Sequence, residues 1–136
     1  RNKIIDGFFY ITNCHNEGAA FSLFSGNVLF LIFITLIVLF LIYRSINKEN
    51  VNKIGILAYG LLLGGILGNL YDRIFYGYVI DYLDFVIFKF NFAIFNLADA
   101  AIVIGAILLI VFEGSDNDGR KNKDRSRKLR KEWKNR

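Results

Sequence analysis

Methionine and proline are missing from this chain, and cysteine and histidine occur once each, as the neighbours Cys14 and His15. A single cysteine excludes a disulfide within the chain and leaves the redox compartment unreadable. One cysteine and one histidine also fall short of a closed zinc site, which takes four ligands drawn mostly from those residue types. No metal and no other cofactor is expected. Because the sequence opens on Arg1 and holds no methionine, an upstream segment is expected to precede it. Residues 1–20 mix polar and aromatic side chains and do not read as a signal peptide.

What is abundant is apolar. The chain of 136 residues is 54% hydrophobic and 16% aromatic, with a mean hydropathy of +0.39. A soluble domain of this size does not usually carry such a load. The apolar residues fall in blocks at 28–43, 54–70 and 93–112, which read as membrane spans. Charge orients them. Of seventeen Lys and Arg, ten lie in residues 120–136, opposed there only by Asp124 and Glu132. Such a tail directly after a span reads as a cytoplasmic segment near anionic lipid heads, not as a nucleic-acid site. Arg44, Lys48 and Lys53 put the loop 44–53 on the same side. Residues 1–26 and 72–92 then lie outside, and a preceding span would carry the N-terminus there. The expected fold is a membrane α-helical four-helix transmembrane bundle whose first helix is missing from this sequence. Residues 1–112 form the membrane domain and 113–136 a basic cytoplasmic tail.

Gly60, Gly64 and Gly68 recur at four-residue spacing in the second span, with Gly55 and Gly65 besides, and Ala101 and Gly105 lie in the third. Small residues spaced this way let helices approach closely in lipid. The outer stretch 78–92 is dense in Phe, Tyr, Val and Ile after a break at Gly77, and reads as extended chain. Residues 3–12 have the same flavour, with a turn at Asp6-Gly7. The two stretches are able to pair into a small β platform on the outer face, where aromatic side chains suit the membrane–water boundary.

Polar residues inside a span need a reason. Asp99 sits in the third apolar block, three residues after Asn96 and therefore on the same helix face. One reason is a helix cap, with Asn96 at the N-cap and Asp99 in the first turn. Another is chemistry. Two neighbouring carboxylates do not both ionise easily, so one takes a proton from water while the other polarises a peptide carbonyl. The candidates for the second carboxylate are Asp72, Asp81 and Asp84. Asp81 and Asp84 lie an odd number of residues apart and point to opposite faces of an extended strand. Residue chemistry alone does not choose between them.

Four blocks resemble, in order and spacing, the motifs of the lipoprotein signal peptidases, or signal peptidase II: "NEGAAFS" (16–22), "GGILGNLYDR" (64–73), "GYVIDY" (77–82) and "FNLADAAIVIG" (95–105). The resemblance implies an aspartyl endopeptidase of the bacterial cytoplasmic membrane. Such an enzyme cleaves prolipoproteins just before a diacylglyceryl-modified cysteine, with its active site toward the extracytoplasmic face. It implies Asp81, from the G-x-V-x-D block, and Asp99, from the F-N-x-A-D block, as the catalytic pair, with Asp84 a bystander. It implies active-site or substrate contacts at Asn16, Gly18, Asn69, Asp72, Arg73 and Asn96. Four transmembrane helices, a strand platform, lipid-modified prolipoproteins and membrane lipids as partners, and a monomer are expected with it. Two departures stand out: the family's first helix is absent, and Tyr82 replaces the Phe that usually follows the first catalytic aspartate. The alternative is a small transporter or proton-relay protein using Asp99. A structural subunit, for which the outer carboxylates would be dispensable, is the third reading.

Overall fold

The computed structural model describes residues 1–19, 23–46 and 51–134. Ala20, Phe21 and Ser22 of the first motif block and Lys48 of the basic loop lie outside them. Chain order is β1 (Asn2–Ile5), β2 (Phe9–Asn16), α1 (Val28–Ile46), α2 (Lys53–Tyr76), β3 (Val79–Ile87), β4 (Phe90–Asn91) and α3 (Leu97–Lys134).

α1 is apolar on every side, and Leu31 is its buried residue. The Thr35 hydroxyl, midway along the apolar stretch, donates to the Leu31 carbonyl at 2.7 Å, so the helix satisfies that polar group itself. α1 and α2 are each long and apolar enough to cross a bilayer, while the apolar part of α3, Leu97–Val111, is shorter. α2 starts where Asn52 Oδ1 accepts from the backbone of Ile54 (3.1 Å) and Gly55 (2.8 Å). It stops at Gly77, whose left-handed backbone (φ 80°) lets its N–H reach Arg73 O. The helix therefore runs six residues past the apolar block that ends at Leu70. Asp72 and Arg73 belong to its last turns and not to an outer loop.

α2 and α3 pack antiparallel at their small residues, though not along the expected stripe. A Cβ at Gly65 would collide with Ala98 O and Ile102, and one at Gly105 would lie 2.7 Å from Ala58 O and 2.8 Å from Leu62 N. A Cβ at Gly60 or Gly64 would meet nothing within 4 Å. Gly65 and Gly105 set the close approach, and Gly68 touches Ala98 at ordinary distance.

The sheet is antiparallel with the order β1-β2-β3-β4. The pairing of the N-terminal stretch with residues 78–92 is the β2–β3 ladder, which joins segments separated by two helices. The β1–β2 turn passes through Gly7 (φ 68°), as the Asp6-Gly7 pair suggests. Register slips between Ile11↔Leu83 and Cys14↔Asp81, where β2 fits one residue more than β3. Residues 93–96, expected to open the third span, are not helical. They run beside β3, and Phe95 exchanges backbone hydrogen bonds with Leu83 (2.8 and 3.1 Å). At the other end, α3 continues without a break from the apolar stretch to Lys134. At 1.5 Å per residue its 38 residues extend ~57 Å, well beyond a bilayer core.

Candidate active site

The first turn of α3 is held by a reciprocal cap. Asn96 Oδ1 accepts from Asp99 N at 2.9 Å, and Asp99 Oδ2 accepts from Asn96 N at 3.1 Å. The capping reason for Asp99 is thus real, but it occupies only one carboxylate oxygen. The other, Oδ1, accepts from Asn69 Nδ2 at 2.7 Å. Asn69 is buried in α2, about two turns before the Gly77 cap.

Asn96 joins the two sides of the site. Its amide Nδ2 donates to Asn69 Oδ1 and to Asp81 Oδ1, each at 3.0 Å. The second oxygen of Asp81 accepts from Asn16 Nδ2 at 2.9 Å. Asn16 in turn takes the Gly18 N–H at 2.9 Å. The Gly18 carbonyl accepts from Arg73 Nη2 at 2.9 Å, and Arg73 Nη1 donates to Asn69 O at 3.3 Å. β2, β3, α2 and the start of α3 are therefore joined by one polar network that contains seven of the eight residues singled out in the sequence. Asp72 stands outside it: its Oδ2 accepts from Ile80 N at 3.4 Å, a long contact that ties the end of α2 to the start of β3.

Asp81 and Asp99 both line a cavity of about 680 Å³ whose other walls are mostly apolar, among them Val79, Phe92, Phe95 and Ile102. Asn96 is buried behind the carboxylates. Burial pushes the Asp81 carboxyl above the usual carboxylate range, and the charge of Asp99 adds to that push. The amides of Asn16 and Asn96 and the charge of Arg73 act the other way. Arg73 Nε is buried with no partner among the described residues, and Arg73 also lines the cavity.

Asp84 lies on the same strand and is as deeply buried, at 4% exposed against 2% for Asp81. Its surroundings differ. Arg1 meets it through Nε at 2.7 Å and Nη2 at 3.2 Å, and the guanidinium lies 4.0 Å from the Tyr10 ring centroid. Cys14 faces Asp81 across the ladder, and His15 stacks on Tyr78 at 4.0 Å. Among the described residues no three His, Cys, Asp or Glu side chains converge on a metal-sized site.

Comparison with known proteins bears directly on this geometry. The family described as signal peptidase (SPase) II matches residues 1–113. The chain belongs to the signal peptidase II family. It is 40% identical over 123 residues to the lipoprotein signal peptidase of Staphylococcus aureus (strain bovine RF122 / ET3-1), covering 90% of this chain and 76% of that protein. With the lipoprotein signal peptidase of Francisella tularensis subsp. novicida (strain U112) it shares 43% identity over 112 residues, 78% of this chain and 70% of the other. A bacterial membrane enzyme solved by the in meso method at 2.3 Å superposes with a TM-score of 0.79 at 37% identity, over 87% of this chain and 73% of that one. A second, solved by the same method at 1.9 Å, gives 0.70 at 39% identity over 80% and 71%.

Set in a signal peptidase II, the network also holds contacts that residue chemistry had not suggested. Tyr82, the departure beside Asp81, accepts the Leu97 N–H on its hydroxyl at 3.3 Å, a bond Phe is unable to make. Phe92, from the stretch read as an aromatic surface, and Phe95, from the block read as the start of the third span, both form cavity wall.

Proposed function

We propose that Asp81 and Asp99 supply the acid–base chemistry with which this signal peptidase removes signal peptides from prolipoproteins, cutting before the diacylglyceryl-modified cysteine. The observation that carries the mechanism is the Asn96 amide, which binds Asp81 directly and Asp99 through the cap and Asn69, in the wall of one largely apolar cavity. A water between the carboxylates gives its proton to the ionised one while the protonated one polarises the scissile carbonyl. The roles reverse as the amine leaves. The proton belongs to the pair and not to either aspartate. Burial of Asp81 favours keeping that proton in the site.

The finer parts of this reading rest on the polar network together with the family resemblance. Arg73 lines the cavity and its guanidinium takes a substrate carbonyl there, while Asn16, Gly18, Asn69 and Asn96 hold the carboxylates and the backbone around them. Asp72 ties the end of α2 to the start of β3, at the edge of the site. The lipid-modified substrate enters sideways from the bilayer. The enzyme works as a monomer in the bacterial cytoplasmic membrane, with the cavity toward the extracytoplasmic face. Residues 1–112 supply three helices of a four-helix transmembrane bundle, and residues 113–136 form the basic cytoplasmic tail.

The test is cleavage of a diacylglyceryl-modified prolipoprotein by wild type, Asp81→Asn, Asp99→Asn and Asp84→Asn. Loss in the first two variants with most activity kept in the third supports the pair. Normal cleavage by Asp81→Asn or Asp99→Asn removes it.

A further inference from the structure

The tip of the β3–β4 hairpin plays no part in the network. Ile87 pairs with Phe90, so Phe88 and Lys89 alone make the turn. Both have left-handed backbones, φ 49° and 66°. A two-residue turn of this kind favours Asn-Gly, because a bulky side chain is strained at positive φ. Here it carries a phenyl ring and an ammonium. Phe88 is 92% exposed, Phe90 78% and Phe92 53%. No acidic residue occurs between Asp84 and Asp99, so Lys89 has no carboxylate near it in sequence.

The apolar surface does not end at the hairpin. Phe92 lines the active-site cavity together with Val103 and Ile104 of α3, both of which are also exposed on the outside of the helix. One apolar surface therefore runs from the outward side of a membrane helix, across the cavity mouth, to the hairpin tip. A protein partner would have to cover the cavity mouth as well. A lipid leaflet meets the whole surface at once, with phenyl rings at the acyl boundary and the single lysine at the phosphate level.

We propose that the β3–β4 hairpin is a membrane wedge: Phe88 and Phe90 insert into the outer leaflet beside the cavity, and Lys89 pairs with lipid phosphate. The proposal rests on the membrane placement given above but not on the catalytic roles of Asp81 and Asp99. It is tested without activity. In Trp133→Phe protein, with any tryptophan outside this sequence also replaced by Phe, Phe88→Trp and Phe90→Trp each place a lone tryptophan at the tip. The proteins are reconstituted into phosphatidylcholine–phosphatidylglycerol vesicles, with or without bromine on the acyl chains near the head group. Emission is expected to shift to the blue and to lose much of its intensity in brominated vesicles. Iodide quenching is expected to fall several-fold below that of N-acetyltryptophanamide in the same suspension. Full iodide quenching with no bromine effect would put the tip in water and overturn the wedge. Shielding from both quenchers would mean a second copy or another protein covers the tip, and would overturn it equally. Cleavage assays on the same samples report separately on the catalytic pair.

Discussion

β3 carries two buried aspartates, and the regions around them treat a carboxylate in opposite ways. At the Asp84 end, a guanidinium grips both oxygens and stacks on Tyr10. The charge is matched, and Asp84 faces no cavity wall of the active site. At the Asp81 end, the two hydrogen bonds come from neutral amides, and burial together with the charge of Asp99 opposes ionisation. Burial beside a cation makes a strut. Burial among amides, next to another acid and open to a cavity, keeps a proton exchangeable.

The comparison breaks most sharply on the carboxylates. Asp81→Asn and Asp99→Asn are each expected to lower kcat about 10³-fold or more, the scale of losing an acid–base group. Asp84→Asn is expected to keep kcat and to lower only thermal stability. If Asp84→Asn proved as damaging to kcat, the contrast between the two ends would be meaningless.

Asn96 sharpens it next. Asn96→Ala removes the cap and the amide that binds Asp81, and kcat is expected to fall about 10²-fold, as when one oriented donor is lost. Asn52→Ala removes an equivalent cap at the far end of α2. Both should cost about 1 kcal/mol of stability as cap losses, but the Asn52 variant should leave kcat alone. Unfolding and turnover measured on both variants separate capping from catalysis.

How far the sequence disclosed this site depends on which force placed each residue. The spans at 28–43 and 54–70, the Asp6-Gly7 turn and the Asn96–Asp99 cap are local, and periodicity and side-chain chemistry reveal them. The extension of α2 through Asp72 and Arg73 was hidden because polar residues at a membrane edge read as loop, although Gly77 marks the true stop. The start of α3 was hidden for the opposite reason. Residues 93–96 are as apolar as the helix that follows, but the backbone of Phe95 is taken up by Leu83 and Tyr82 of β3. The packing glycines were misread because spacing shows a stripe without showing which side has a neighbour. Gly65 and Gly105 face a backbone, and Gly60 and Gly64 do not. Among the carboxylates, residue chemistry found Asp99 but left Asp72, Asp81 and Asp84 level. Only the motif resemblance separated them, because the partners that distinguish them, Arg1 ahead of β1 and Asn16 at the end of β2, lie more than sixty residues away in sequence.

Arg1→Ala tests the strut from its cationic side. Asp84 would stay buried without its partner, at a cost of about 1–3 kcal/mol. A lower Tm with kcat nearly unchanged is expected. A fall in kcat without a change in Tm would mean that the two ends of β3 are not independent.

Asn16→Ala probes the poise of Asp81. The Asn16 amide stabilises the charged carboxylate and so lowers its proton affinity. Removing that donor leaves burial and Asp99 less opposed, and the Asp81 carboxyl rises further. The limb of the pH–rate profile that reports this group should therefore move to higher pH, and none should move lower. A profile that keeps its shape while only its height falls would reduce Asn16 to a structural contact.

The smallest effect belongs to Tyr82, where this chain departs from the usual Phe. β3 is already pinned to the approach of α3 by three backbone bonds, from Tyr82 N and Leu83 N to Phe95 O and from Phe95 N to Leu83 O. The Tyr82 hydroxyl adds one more, to an exposed backbone donor at 3.3 Å. Tyr82→Phe is expected to cost about 0.5 kcal/mol, since water satisfies Leu97 N–H once the hydroxyl is gone. Turnover should stay close to wild type, because the spacing of Asp81 and Asp99 is set by the backbone bonds that Phe leaves intact. A large loss of kcat in Tyr82→Phe would show instead that the hydroxyl holds the first turn of α3, and with it Asp99, in this chain's own way.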